Sequence, residues 1–278
     1  MASHLLLINC PDERGLVYKI TGVLVKYNLN IVSNGEFVER EFNHFFMRTE
    51  FSGEFERELL LKDLREILPA TTEIKLTDRR KKNIVLLVTK EHHCLSDLLI
   101  RHAFQELNAR ILAVISNHEV LAELTRKFDV PFQVVSHEGK SREAHEAEVM
   151  QAIQAYNPDF VVLAKYMRIL SPAFVGAYAN RLINIHHSFL PAFVGANPYA
   201  QAYERGVKII GATAHFVNEQ LDQGPIIAQN VIPVDHTQSA KEMAQAGRDV
   251  EKIVLAKSLK MVFDEQVFVY RNKTILFN

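Results

Sequence analysis

The chain has 278 residues, and at roughly 150 residues per domain this length suggests two domains. Hydrophobic residues make up 48% of the chain and charged residues 23%, which excludes a disordered or fibrous protein. The formal net charge is −1, from 32 basic and 33 acidic residues, so nothing favours a nucleic-acid partner and a small molecule is the natural ligand.

Cysteine content and apolar runs predict the compartment. The two cysteines, Cys10 and Cys94, lie far apart in the sequence, which predicts buried free thiols in a reducing environment. The N-terminus lacks the charged segment of a signal peptide, and no stretch approaches the roughly 18 apolar residues that a membrane span needs. We therefore expect a cytoplasmic protein with no membrane partner.

The first eighty residues predict a β-α-β-β-α-β unit. A strand (HLLLIN) precedes a turn at residues 10–15 and a helix (LVYKITGVLVKY), with Asp12 as the predicted helix N-cap. Two strand-like runs (NIVSNGEFVE and HFFMRTEF), an amphipathic helix (ERELLLKDLREIL) and a strand (TEIKLT) follow. This order is that of a ferredoxin-like α+β domain. A charged run at residues 77–82 predicts a linker, so we expect domains at 1–82 and 83–278.

The remaining residues predict a doubly wound α/β domain with a mostly parallel sheet. Near-continuous apolar strands such as NIVLLV, RILAVIS and FVVLA alternate with helical segments, which is typical of a sheet covered on both faces. RLINI, IIGATAHFV and PIIAQNVIPV predict later strands, a long helix covers 240–263, and the tail predicts a hairpin that turns at 271–273. Ligands of such sheets bind outside the carboxyl ends of the strands, so polar residues after RLINI and ATAHFV are expected at a site.

Five polar side chains gather at these strand ends. Asn184, His186 and His187 follow RLINI, His215 ends the ATAHFV strand, and Asp222 lies in the next loop. The amide of Asn184 and a protonated His186 can donate hydrogen bonds to a carbonyl oxygen that becomes negative. Asp222 can stabilise the charged imidazole and can take or relay a proton. The adjacent histidines lack the helical spacing or paired cysteines of a zinc site, so we predict no metal.

The sequence allows two interpretations for four of the residues around this group. His187 and His215 either orient the catalytic groups or only pack against them. Tyr166 and Met167 fit the core as well as a ligand contact, judged by apolarity alone. Arg168 is costly to bury without a partner, which predicts a position at the edge of a cleft.

Three motifs resemble the signature of the folate-dependent formyltransferase superfamily: NIH at 184–186, SFLP at 188–191 and DQGPI at 222–226. The resemblance covers roughly residues 83–278 and implies a Rossmann-like fold, with Asn184, His186 and Asp222 as the catalytic set and no cofactor besides the folate substrate. The run VLAKYMRIL at 162–170 resembles the folate-binding segment of that superfamily. We expect eight residues to contact the substrate or support its site: Tyr166, Met167, Arg168, Ile169, Leu170, His187, His215 and Gly224.

The N-terminal unit resembles an ACT domain, a regulatory module that often binds amino acids at a dimer interface. The resemblance implies an amino-acid effector contacted by Asp12, Gly15, Asn30 and Asn34, and a homodimer or homotetramer. The combination of both units resembles the formyltetrahydrofolate deformylase family. That likeness implies hydrolysis of 10-formyltetrahydrofolate to formate and tetrahydrofolate, which supplies formate for purine synthesis and balances one-carbon pools.

Departures from the related transformylase pattern favour water as the nucleophile. Residues 89–96 contain no glycine where glycinamide ribonucleotide transformylases carry a glycine-rich phosphate-binding loop, and His187 stands where they have proline.

Asn197 and Ala200 depart from the arginine and histidine of the deformylase pattern. Two alternatives stay open: formyl transfer to an amine, and a non-catalytic folate or amino-acid sensor. The intact catalytic set counts against the sensor.

Overall fold

The computed structural model describes residues 3–192 and 198–277, which divide into two compact units. The first unit contains the described residues up to Arg80 together with Phe277, and the second runs from Lys81 to Leu276. Asn197 lies outside the described residues. Cys10 and Cys94 are free and buried, as predicted.

The first unit has the β-α-β-β-α-β order that its sequence predicts. Its elements are β1 (Ser3–Pro11), α1 (Leu16–Lys26), β2 (Asn30–Glu39), β3 (His44–Ser52), α2 (Arg57–Ile67) and β4 (Glu73–Asp78). The strands form an antiparallel sheet in the order β2-β3-β1-β4. Side chains from both helices, such as Ile20 and Leu60, pack with strand residues such as Ile8 and Phe51 in one core.

The prediction of Asp12 as a helix N-cap is wrong. Strand β1 stays extended through Pro11, and α1 begins only at Leu16, so Gly15 occupies the cap position. Gly15 has a φ of 85°, a left-handed conformation that favours glycine. The backbone N–H of Asp12 instead donates to the carbonyl oxygen of Asn43 at 2.8 Å.

The second unit alternates strands and helices before a long final helix and a hairpin. Its elements are β5 (Lys82–Val88), α3 (His93–Ala103), β6 (Ala109–Ser116), α4 (Ala122–Arg126), β7 (Phe132–Val134), α5 (Arg142–Gln154), β8 (Phe160–Leu163), α6 (Pro172–Ala177), β9 (Leu182–His186), α7 (Pro198–Glu204), β10 (Ile209–Phe216), β11 (Ile226–Pro233), α8 (Ala240–Phe263), β12 (Val267–Tyr270) and β13 (Lys273–Leu276). Strands β12 and β13 form the predicted terminal hairpin. Of the helices in the described ranges, none is long and apolar enough to cross a bilayer.

One mixed sheet of seven strands, in the order β11-β10-β9-β8-β5-β6-β7, forms the centre of this unit. The strands from β9 to β7 are parallel, as predicted for most of the sheet. Successive residues of a strand point to opposite faces. Ile84 and Leu86 therefore join one core with α3 and α8, whereas Val85 and Leu87 join a second core with α5 and α6.

Strand β10 runs antiparallel to β9, so the expectation that both strands end at one edge is wrong. The register places His215 opposite Asn184 and Thr213 opposite His186. The polar residues meet because β10 lies beside β9, and because the loop after β10 turns back toward the end of β9.

The buried face of α3 offers a test of this packing. Leu99 is fully buried, whereas the adjacent Ile100 is 47% exposed. We expect Leu99→Ala to lower the free energy of unfolding by about 2–5 kcal/mol, because it leaves a cavity in the core. Ile100→Ala should change it by less than about 0.5 kcal/mol. Urea unfolding followed by circular dichroism measures both, and equal losses would contradict the assigned faces.

Candidate active site

A cavity of about 270 Å³ opens beside the ends of β8 and β9, and we call it the main cavity. The predicted catalytic residues Asn184, His186 and Asp222 all line it. Seven of the eight predicted substrate contacts also line it: Tyr166, Met167, Arg168, Ile169, Leu170, His187 and His215. Tyr166 is buried in the core as well, whereas Met167 and Ile169 are more than half exposed.

His186 is the central polar group of the main cavity. Asn184 and His186 are two positions apart on β9, so their side chains leave the same face of the sheet. The Nδ1 atom of His186 lies 3.3 Å from Oδ1 of Asp222. The Nε2 atom is buried and has no hydrogen-bond partner in the described part of the chain. Such unpaired buried groups are rare in folded proteins, which favours a ligand as the missing partner.

His215 fixes the orientation of the Asn184 amide. The Nδ1 atom of His215 lies 2.9 Å from the carbonyl oxygen of Phe216, so this nitrogen carries the proton and donates. Its Nε2 atom then accepts from Nδ2 of Asn184 at 3.3 Å. Burial lowers the pKa of His215, which keeps the ring neutral in this arrangement. One N–H of the amide is thereby used, and the second is available to a ligand.

Asp222 lies in the loop between β10 and β11 with a φ of 57°, a conformation that Asp tolerates better than most residues. Its side chain is only 9% exposed. Burial by itself raises the pKa of Asp222, but the hydrogen bond with His186 and the attraction of the neighbouring histidines bring the pKa below its usual value. The carboxylate is therefore ionised beside the imidazole.

The hairpin turn supports the loop that carries Asp222. The side-chain amides of Asn272 and Asn218 donate to the carbonyl oxygen of Gln223, at 2.8 and 3.3 Å. Gly224 does not line the main cavity, contrary to its predicted place among the substrate contacts. Its backbone packs against Phe216, where an added Cβ would lie 1.7 Å from the carbonyl oxygen. Gly224 therefore sets the path of the loop.

A second cavity of about 400 Å³, here called the polar cavity, adjoins the main cavity. The two share Lys165, Met167 and His187 in their walls. The ring of His187 stacks on that of His186, with centroids 5.1 Å apart. Burial, followed by the positive charge of Lys165, lowers the pKa of His187 to about 4, so this imidazole is neutral near pH 7. Ala200 also lines the polar cavity.

A buried carboxylate, Glu251 of α8, forms one wall of the polar cavity. It accepts hydrogen bonds from Nε2 of His93 and from the hydroxyl of Tyr199, both at 2.8 Å, and Nζ of Lys165 lies 3.1 Å away. Burial raises the pKa of Glu251, but the hydrogen bond from His93 and the charge of Lys165 outweigh it and lower the pKa to about 2. Gly247 makes room for this contact, because a Cβ there would lie 2.0 Å from the Tyr199 hydroxyl.

Sequence reasoning missed this cluster, although α8 carried a signal for it. Glu251 stands among the apolar buried positions of the helix, where an ionised group requires a partner. Lys165 adopts a φ of 67°, which is uncommon for a residue other than glycine, and its ion pair with Glu251 helps to hold it there.

His93, Cys94 and Glu251 are close enough to hold a metal ion together, but the Lys165 ammonium already supplies a cation to the same carboxylate.

The four predicted effector contacts of the first unit do not converge within one chain. Asp12 and Gly15 follow the end of β1, whereas Asn30 begins β2. Both strands run antiparallel to β3, which lies between them, so the end of β1 and the start of β2 are at opposite ends of the sheet. Asn34 lies midway along β2, where it accepts a hydrogen bond from Thr49 at 2.6 Å.

Known proteins match the chain over its whole length. The model of the formyl transferase family matches residues 82–259. A formyltetrahydrofolate deformylase of Haemophilus influenzae is 55% identical over 272 residues, which are 98% of each chain. The crystal structure of a formyltetrahydrofolate deformylase from Pseudomonas syringae has a TM-score of 0.96 at 41% identity and covers 100% of this chain and 95% of its own.

A glycinamide ribonucleotide transformylase of Symbiobacterium toebii shares only part of this architecture. Its structure has a TM-score of 0.69 at 27% identity and covers 74% of this chain and 98% of its own. The deformylases, in contrast, match across both units. The chain is therefore a member of the formyltetrahydrofolate deformylase family, built on the formyl transferase fold.

Proposed function

We propose that the chain hydrolyses 10-formyltetrahydrofolate to formate and tetrahydrofolate. The observation that carries this proposal is the buried Nε2 atom of His186, which has no hydrogen-bond partner among the described residues and lies in a cavity that Asn184 and Asp222 also line. A carbonyl oxygen placed there completes the hydrogen bonding of two side chains at once. The deformylase names of relatives at 55% identity support the same substrate.

The first part of the mechanism is polarisation of the formyl group. The free N–H of the Asn184 amide and the Nε2–H of His186 donate to the formyl oxygen. Both bonds strengthen as this oxygen gains negative charge, which is the condition for a donor to accelerate the chemical step. Oδ1 of Asp222 lies 3.3 Å from Nδ1 of His186, and an imidazole that carries a proton on each nitrogen can donate to this carboxylate and to the formyl oxygen at the same time.

The second part is transfer of one proton from water to the leaving nitrogen. The water oxygen bonds to the formyl carbon and the water loses a proton, which Asp222 takes or relays. The tetrahedral oxyanion then collapses, the carbon–N10 bond breaks, and N10 of the folate receives that proton. The products are tetrahydrofolate and formic acid, which ionises to formate, and water is the single co-reactant.

The polar cavity supports water as the nucleophile over an amine that carries a phosphate. Residues 89–92 precede α3 without a glycine, and Glu91 and His93 of this region line the cavity. Arg248 is paired with Glu91 at 3.5 Å, and Glu251 adds a second carboxylate. Two of the three cations that line this cavity, Lys165 and Arg248, are thus already paired with carboxylates, which leaves less positive charge to hold a phosphate. Formyl transfer to an amine stays the alternative, and an acceptor-dependent rate would favour it.

We also propose regulatory and cellular roles. Residues 1–82 serve as an ACT-type regulatory domain, supported by their element order, and residues 83–278 as the catalytic domain. An amino-acid effector then binds at the interface of a homodimer or homotetramer. The released formate supplies purine synthesis and balances one-carbon pools in the cytoplasm, with no cofactor besides the folate substrate.

Two substitutions test the catalytic set. Asn184→Ala removes one oxyanion donor and should lower the rate of formate release about 100- to 1000-fold. Asp222→Asn removes the proton acceptor and should cause a loss of at least this size. Asn230→Ala, at an exposed position of β11, is the matched control and should keep the parent rate. An unchanged rate in either site variant, with the fold intact by circular dichroism, would contradict the assigned roles.

Gly224→Ala tests whether the loop path aims Asp222. The new methyl group would collide with the Phe216 carbonyl, so the loop must move and displace the carboxylate. A displacement of about 1 Å can cost 100-fold in rate, and we expect a loss near this size in formate release at saturating substrate. Gly176→Ala is the control, because nothing lies within 4 Å of its Cβ in α6. Parent-like turnover in Gly224→Ala would show that Asp222 does not depend on the loop path.

A further inference from the structure

His187 lies at the boundary between two cavities of different chemistry. The main cavity has an apolar wall that includes Leu163, Ile169 and Leu170, which suits the flat ring system of a folate. Five charged residues line the polar cavity together with His93, His187 and Tyr199, which suits water. A nucleophile that moves from the polar cavity to a formyl group in the main cavity therefore passes the residues that line both cavities.

Of the three shared residues, His187 is the one suited to hold water. The ammonium of Lys165 is already paired with Glu251 at 3.1 Å, and the thioether of Met167 is at most a weak acceptor. Among the described residues, none forms a hydrogen bond with the His187 ring, which contacts His186 and Tyr199 only through ring faces and edges. A neutral imidazole carries one nitrogen that accepts and one that donates.

The charges around His187 keep this acceptor available. Burial is the largest effect and lowers the pKa of the His187 ring; Lys165 and His186 add to it, while Glu251 and Asp222 oppose it. The ring therefore remains neutral near pH 7. At that pH the accepting nitrogen is free to receive an O–H group.

We propose that His187 binds the attacking water and orients it toward the formyl carbon. The inference rests on the proposed hydrolysis. A formyl oxygen bonded to Nε2 of His186 places the formyl carbon near the adjacent stacked ring, with centroids 5.1 Å apart. A water that donates one O–H to His187 then directs a lone pair at the carbon, within the roughly 3–3.5 Å of a near-attack geometry. Asp222 remains the group that takes or relays the proton.

Three variants test this role through formate release from 10-formyltetrahydrofolate. His187→Phe keeps a ring but removes the acceptor, and we expect kcat to fall about 100-fold while the KM for the folate changes less than about threefold. His187→Gln restores an acceptor, and its kcat should be at least about tenfold higher than that of His187→Phe. His236→Phe makes the same change at an exposed position and should match the parent.

Hydroxylamine separates a water-binding role from a structural one. It is a much stronger nucleophile than water near neutral pH and does not need His187 to position it. Its nitrogen bonds to the formyl carbon and loses one proton, the carbon–N10 bond breaks, and N10 gains one proton. The products are formohydroxamic acid and tetrahydrofolate. We expect hydroxylamine to restore tetrahydrofolate release in His187→Phe at least about tenfold, because the groups that polarise the formyl oxygen remain in place.

Several results would overturn the inference. These are a kcat for His187→Phe within twofold of the parent, a His187→Gln enzyme as slow as His187→Phe, or hydroxylamine that fails to restore tetrahydrofolate release. A parent enzyme that releases no formate overturns the proposed hydrolysis as well. A parent that releases formate, together with a fully active His187→Phe, overturns the role of His187 alone.

Discussion

The antiparallel pairing of β10 with β9 is the constraint on which the site depends. It sets His215 opposite Asn184, so that one imidazole can orient the amide. It also sends the chain through a loop that returns to β9 and brings Asp222 within 3.3 Å of His186. A fully parallel sheet would end β10 at the edge where β9 ends, and a crossover connection would follow in place of this short return loop. The mixed sheet therefore brings Asn184, His186 and Asp222 together.

The site holds several groups in arrangements that carry a cost in stability. A buried nitrogen of His186 has no partner in residues 3–192 and 198–277. Lys165 and Asp222 adopt positive φ values, and Glu251 is ionised at 1% exposure. Such features persist when the surrounding structure determines them, and they concentrate at functional sites. The loop of Asp222 is held by the side-chain amide of Asn272, which donates to Gln223, and by the close packing of Gly224 against Phe216. The Glu251 carboxylate is held by His93, Tyr199 and Lys165.

Local patterns in the sequence predict the elements and the three central residues, because strand periodicity and short motifs are local properties. The strand direction of β10 and the start of α1 depend on contacts between distant segments, and local patterns could not supply them. The Glu251 cluster joins residues from α3, α7, α8 and the loop after β8. The sequence carried only one hint of it, a glutamate on the apolar face of a helix.

The central claim is that water is the nucleophile at a site built around His186. The most direct test is turnover of 10-formyltetrahydrofolate by the parent protein in H₂¹⁸O with no amine present, followed by mass spectrometry of the formate. The account predicts formate and tetrahydrofolate in equal amounts, with one ¹⁸O atom incorporated in each formate formed. Formate without the label, or tetrahydrofolate that forms only after an amine is added, would contradict it.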